Sequence, residues 1–282
     1  MDFLEAIILG IVQGLTEFLP ISSSAHLRIL GEAAGWDDPG ATFTAITQLG
    51  TETAVLIYFW KDITRIIGKW FRSFGSKGGT HSAGIQKGDP DVRLGWLIII
   101  GTIPIVLAGY FFQSIIRHEL RSLWFVAIVM IVFGLVLWLA DWLGRRTKEL
   151  DDLNYRDGIL VGLAQMLALI PGVSRSGASI SAGLALGYTR TAAARFAFLL
   201  AVPAVFGSGL YELLTSFREP GSNAYGPLET LAATVVAFAV GFAVIAFLMR
   251  YLSKGSFLPF VIYRLLLGGT LIVLLSMGVL QA

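Results

Sequence analysis

Apolar residues along this chain gather in long runs instead of alternating, and the lengths of those runs set the architecture. Hydrocarbon about 30 Å thick needs roughly 20 apolar residues in a helix. Segments near 41–60, 92–116, 123–142, 192–215, 228–249 and 257–280 are long enough, so the pattern predicts six transmembrane helices. The first of them is the weakest, because Gln48, Thr51, Glu52 and Thr53 interrupt it. Such a helix should face other helices or a cavity, not lipid. Gln48 and Glu52 stand four apart and either line that cavity or bridge helices. Pro104 and Pro203 should kink their helices, whereas Pro259 lies near a helix start, where its missing N–H costs little.

Two further apolar stretches are too short to cross. Residues 3–19 stop at Pro20, before Ser22-Ser23-Ser24, and residues 157–170 stop at Pro171-Gly172, before Ser174-Arg175-Ser176-Gly177. A helix of about 14–17 residues rises only some 21–25 Å. Each stretch resumes as a second short apolar segment, which predicts two re-entrant helix–break–helix hairpins, over 3–31 and 157–188, that dip into the membrane and return. The hairpins resemble each other: Ile11-Val12-Gln13-Gly14-Leu15 recurs as Leu163-Ala164-Gln165-Met166-Leu167, and Pro20 with Ser23 recurs as Pro171 with Ser174. The match needs one single-residue gap. Each hairpin is followed by three spans, an odd number, so the second half must enter the membrane upside down relative to the first. The expected fold is therefore an all-α integral membrane protein of two inverted-topology repeats. It forms one membrane domain over 1–282, with repeat 1 at about 1–146 and repeat 2 at about 155–282.

Composition agrees. Only 14% of the 282 residues are charged, against about 25% in soluble domains, 55% are hydrophobic and the mean hydropathy is +0.74. This composition argues against a soluble enzyme, a disordered tail and a nucleic-acid binder. The absence of cysteine removes disulfides, thiolate metal sites and a cysteine nucleophile. No Lys or Arg precedes Arg28, so the start lacks the positive region of a cleaved signal peptide and reads as mature sequence. Charge also orients the spans. Lys61, Arg65, Lys69, Arg72, Lys77, Lys87 and Arg93 make the 61–93 loop cytoplasmic, and Arg145, Arg146, Lys148 and Arg156 do the same for 143–156. Both termini, the 31–40 loop and the 217–227 loop then lie outside. Arg117 and Arg121 in the 117–122 loop run against this assignment.

The chemistry-bearing residues cluster at the two breaks. Gln13 and Glu17 share one helix face, and a carboxylate at that depth should be protonated, paired with a cation or metal-bound; it could also simply pin two helices. Ser23 opens a helix, and His26, three residues on, could exchange a proton with a reacting oxygen; the alternatives are a helix cap and a helix-to-helix hydrogen bond. Arg175 cannot lose its charge and must meet an anion if buried. Its flanking hydroxyls and a helix N-terminus suit phosphate or diphosphate, unless it pairs with Glu17 or Glu52 to hold the halves together. Arg190 and Arg195 should snorkel to headgroups, His81 and His118 should be solvated, and 78–84 reads as a linker. Neither a GxxxxGK[ST] loop nor a GxSxG elbow is present, so nucleotide-driven pumping and the usual serine-hydrolase plan drop out.

Gln13-Gly-Leu-Thr-Glu17-Phe-Leu-Pro-Ile-Ser22-Ser23-Ser24-Ala-His26 and Pro171-Gly-Val-Ser174-Arg175-Ser176-Gly177 resemble the two signature motifs of the bacterial undecaprenyl-diphosphate phosphatases, also called bacitracin resistance proteins. The resemblance spans essentially the whole chain. It implies hydrolysis of undecaprenyl diphosphate to the monophosphate carrier and inorganic phosphate for peptidoglycan recycling. The site would open to the outer face of the bacterial cytoplasmic membrane. It further implies Glu17, Ser23, His26 and Arg175 as catalytic residues, with His26 assisting Ser23 or activating water, and Gln13, Ser22, Ser24, Ser174, Ser176 and Gly177 around the diphosphate. A divalent cation, Mg2+ or Ca2+, would rest on Glu17 with Gln13 as a second candidate ligand and substrate oxygens completing the shell. Gln13 stands where the motif's first position is often acidic, which weakens a two-carboxylate site, and Ser24-Ala25 replaces the commoner Thr-Gly. Expected partners are the polyprenyl diphosphate, membrane lipid and a second copy in a homodimer, with no nucleic acid. The rival reading is a polyprenyl-phosphate transporter or flippase built on the same repeats. A bare ion-binding scaffold ranks third.

Overall fold

A computed structural model describes residues 3–36, 38–75, 88–112, 122–218 and 223–280. The described helices are α1 (Phe3–Thr16), α2 (Ser23–Ala34), α3 (Gly40–Tyr58), α4 (Trp60–Gly75), α5 (Pro90–Phe111), α6 (Leu123–Leu143), α7 (Tyr155–Met166), α8 (Arg175–Ala185), α9 (Arg190–Arg218), α10 (Pro227–Leu252) and α11 (Leu258–Ser276). No strand occurs among the described residues. Five helices, α5, α6, α9, α10 and α11, are long and apolar enough to cross a membrane. The sixth expected span is α3, long enough at 19 residues but outside that apolar group because of its polar interruptions. The span expected over 92–116 ends as a helix at Phe111. Arg117, His118, Arg121, His81, Lys77, Lys87 and the 78–84 linker lie outside the described residues.

Local chemistry explains most helix boundaries. Asp89 caps α5 by accepting from Asp91 N at 2.9 Å, and Pro90 occupies the first turn, where no N–H is needed. Asn154 accepts from Asp157 N at 2.9 Å to start α7. Pro104 and Pro203 sit inside α5 and α9, each of which runs on past its proline. The expected 61–93 loop is in fact partly helical. Its first fifteen positions, with Trp60 before them, form α4, pinned to the start of α5 by Lys69 with Asp89 (2.9 Å) and Asp91 (2.8 Å) and by Arg65 with Asp91 (3.0 Å). Arg190 and Arg195 do not snorkel. Arg190 grips Asp141 through Nε (2.6 Å) and a terminal nitrogen (3.0 Å), and Arg195 pairs with Asp62, because a carboxylate was within reach of each.

Two helix–break–helix units stand out, α1–α2 and α7–α8. Their landmarks recur 152 residues apart: Phe3 and Tyr155 start the first arms, Ser22 and Ser174 both carry φ of 73°, and left-handed Gly35 and Gly187 end the second arms. The backbone therefore keeps one offset throughout, and the single-residue gap disappears. Ser22 corresponds to Ser174 and Ser23 to Arg175, whereas Pro20 and Pro171 are not equivalent.

Each unit packs across onto the other half of the chain: α1 lies on α10, and α7 lies on α5. Both contacts depend on a missing side chain. A Cβ at Gly10 would stand 2.5 Å from Ala233 O, and one at Gly162 would stand 2.5 Å from Gly101 O. Beneath them a continuous apolar cluster including Leu97, Val161, Ile180, Phe198, Leu200 and Ile245 fills the centre. Gly162→Val should force α7 off α5 and destabilise the fold by about 1–3 kcal/mol; a lowered thermal midpoint of the detergent-solubilised protein is the measurement.

Candidate active site

The backbone breaks bring the motif residues together. At Ser22 (φ 73°, ψ 96°) and Ser174 (φ 73°, ψ 121°) the chain takes a conformation L residues rarely adopt, so each helix that follows starts at an abrupt turn. Such positions cost about 1–3 kcal/mol each and persist only where the surroundings hold them. The two serines then differ. Ser174 Oγ accepts from Gly177 N at 3.1 Å and caps α8, while Ser22 makes no side-chain cap and its Oγ lies 3.3 Å from Ser24 Oγ. The N-terminus of α2 is left with no side chain capping it, as a helix end that receives an anion requires.

Glu17, one residue past the end of α1, is the hub. Gln13 Nε2 donates to Glu17 Oε2 at 2.5 Å, Ser23 Oγ donates to the same oxygen at 2.7 Å, and Arg175 forms an ion pair with Glu17 Oε1. Residues from both breaks thus meet on one carboxylate. Ser176 Oγ adds a second bridge, 3.2 Å to Leu19 O, and lies 3.1 Å from Ser174 Oγ. A small pocket lies against this cluster, lined by Glu17, Glu52, Arg175, Ser176 and apolar side chains including Phe18 and Phe198. Gly177 faces away from it. A Cβ there would come within 3.2 Å of Ser174 Cβ and 3.4 Å of an Arg264 nitrogen, so this glycine makes room inside the break. Ser24 is exposed.

His26 departs from its expected position. Its Nδ1 lies 2.7 Å from Ser22 O and its Nε2 lies 2.7 Å from Tyr263 Oη, with the two rings nearly parallel at 8° and 5.5 Å apart. A carbonyl oxygen can only accept, so in the neutral ring the proton sits on Nδ1, and Nε2 accepts from the tyrosine hydroxyl. The hydrogen bond of Ser23 therefore runs to Glu17 and not to His26.

Two residues that the sequence reading passed over hold parts of the two break units. Tyr263 is the first. The second is Arg264, wholly buried in α11. Its Nε donates to Met130 O (3.0 Å), and its terminal nitrogens donate to Pro20 O (3.0 Å), Val173 O (3.1 Å) and Gly172 O (2.7 Å). One guanidinium thus collects carbonyls from both breaks. A charged residue in the middle of an apolar span was the available signal.

Oxygen donors for a hard cation are present but sparse. Glu17 and Gln13 Oε1, which has no partner, share one face, and no group of three or more His, Asp or Glu side chains suited to an ion occurs among the described residues. A divalent cation fits this set only with substrate oxygens added.

A family model described as "Bacitracin resistance protein BacA" matches residues 6–270. The chain is 63% identical to an undecaprenyl-diphosphatase of Micrococcus luteus and 60% identical to one of Clavibacter michiganensis subsp. michiganensis, each over the full length of both proteins. An undecaprenyl-diphosphatase of Thermobifida fusca is 54% identical over 99% of this chain and 92% of its own. Arg264→Met should leave buried carbonyls without donors, at about 1–3 kcal/mol for each. A sharply lower thermal midpoint with lost activity is expected, and Arg264→Lys, whose ammonium lacks the planar fork, should recover only part of it.

Proposed function

The chain belongs to the bacitracin resistance protein BacA family, and from that premise we infer that it hydrolyses undecaprenyl diphosphate to undecaprenyl phosphate and inorganic phosphate at the Glu17–Ser23–Arg175 cluster. The observation that carries the assignment of roles is the hydrogen bond from Ser23 Oγ to Glu17 (2.7 Å), on a carboxylate that also holds Arg175.

Phosphoryl transfer passes through a loose transition state, so the protein must align groups and offset charge. Ser23 Oγ attacks the terminal phosphorus, its proton passes to Glu17 Oε2, and the bond to the bridging oxygen breaks with its electron pair leaving on undecaprenyl phosphate. Water then displaces Ser23 from phosphorus, and Glu17 returns the proton to Oγ as inorganic phosphate departs. Arg175 and the amides at the starts of α2 and α8 receive the oxygen charges. Diphosphate competes with Glu17 for Arg175, so binding of the substrate frees the carboxylate that takes the serine proton. His26, held by Ser22 O and Tyr263, lies beside this line as a positioning and electrostatic group. Glu17 and Gln13 would hold a divalent cation together with the diphosphate; such an ion supplies positive charge to the transferring phosphoryl group.

The two helix–break–helix units are read as re-entrant hairpins of two inverted repeats, about 1–146 and 155–282, with α3 as the sixth crossing. The constant 152-residue offset and the crosswise packing of α1 on α10 and of α7 on α5 support this. Arg145, Arg146, Lys148 and Arg156, together with the basic residues of α4, favour a cytoplasmic position for those segments and hence a site opening to the outer face of the cell membrane.

Ser23→Ala and Glu17→Gln should each lower orthophosphate release from a long-chain prenyl diphosphate by at least about 10²-fold while largely sparing lipid binding. Retained turnover in Ser23→Ala would transfer the attack to water. Chelation of divalent ions should abolish turnover and added Mg2+ or Ca2+ should restore it, in the same assay.

A further inference from the structure

The cavity beside the Glu17–Arg175 pair contains a charged residue that the steps above leave idle. Glu52, near the middle of α3, is 1% exposed and lines the same space as Glu17, Arg175 and Ser176. Its Oε1 has no hydrogen-bond partner. The neighbouring hydroxyls give it no help, because Thr51 donates to Gln48 O at 2.9 Å and Thr53 to Leu49 O at 2.7 Å. Gln13 Oε1, on the amide whose nitrogen donates to Glu17, is likewise buried and unpartnered.

A carboxylate withdrawn from water needs a positive or hydrogen-bonding partner. Arg175 already pairs with Glu17, and the guanidinium of Arg264 is occupied by four carbonyls. Two carboxyl groups therefore face one guanidinium, and an incoming diphosphate adds further negative charge. A hard divalent ion, which takes oxygen donors alone, would restore the balance.

We propose that Glu52 is the second carboxylate ligand of a divalent-cation site whose first is Glu17, with Gln13 Oε1 as a neutral third donor. The acidic group absent at position 13 is thereby supplied from α3. The positive charge offsets Glu52 when diphosphate enters, so the same carboxyl that would repel the substrate becomes part of what binds it. This rests on the reading of the cavity as the diphosphate-cleaving centre.

Mn2+ is the probe, titrated into the purified full-length protein in detergent without substrate and followed by the electron paramagnetic resonance of the free ion. One site is expected in the wild type, with Ca2+ and Mg2+ competing. Glu52→Gln and Glu17→Gln should each weaken Mn2+ binding by at least about tenfold, and Glu52→Asp should weaken it less. Wild-type affinity in Glu52→Gln overturns the assignment. Should Glu52→Gln fail to elute as a single species, Glu52→Asp decides instead, and unchanged affinity there overturns it equally. Phosphate release measured in parallel separates the two readings. Turnover in a protein whose Mn2+ binding ignores Glu52 refutes the cation site and leaves the hydrolase standing, whereas Mn2+ binding through Glu52 without turnover in the wild type refutes the hydrolase and leaves the cation site.

Discussion

Everything at the centre of this molecule hangs on the guanidinium of Arg264. A break in a buried helix releases carbonyls that must find donors elsewhere, and this chain breaks twice. Pro20 from one break and Gly172 and Val173 from the other all turn their oxygens toward one side chain on α11, which also reaches Met130 on α6. The fixed fork of an arginine can serve such a set; a point charge cannot. The charge itself is offset by four oriented dipoles, whereas Arg175 pairs with the carboxylate of Glu17.

The same arrangement explains why the polar cluster at Glu17 is assembled from residues more than 150 positions apart. Ser22 and Ser174 hold unfavourable backbone angles because the carbonyls beside them are tied down, and those angles turn the first residue of each following helix inward. On one side that residue is Ser23 and on the other Arg175, each the first residue of the helix that follows a break. Two similar breaks thus contribute a hydroxyl from one and a guanidinium from the other, joined through Glu17.

Close packing sustains the geometry. Glycines at 10 and 162 let α1 and α7 lie directly against the backbone of the opposite half, and apolar side chains from α3 and α9 close the cavity around Glu17 and Glu52. Low polarity around the carboxylates strengthens each contact made there and makes each unmade contact costly. That is why the unpartnered oxygens of Glu52 and Gln13 carry information about the ligand.

The sequence by itself determined what local patterning can determine. Run lengths marked the long helices, the proline and serine clusters marked both breaks, and Glu17, Ser23 and Arg175 were visible as polar residues where hydrocarbon should exclude them. Each of these is a property of a residue and its near neighbours. The tertiary structure alone decided which partner each group takes: Ser23 with Glu17 instead of His26, His26 with Tyr263, Arg190 with Asp141 instead of headgroups, and Arg264 with both breaks. Those choices depend on which side chains lie nearest after helices distant in sequence have packed, and on an offset of 152 residues that the backbone angles carry through both breaks. A hydrogen bond is satisfied by proximity, and proximity across a fold is not written in the spacing of residues along the chain.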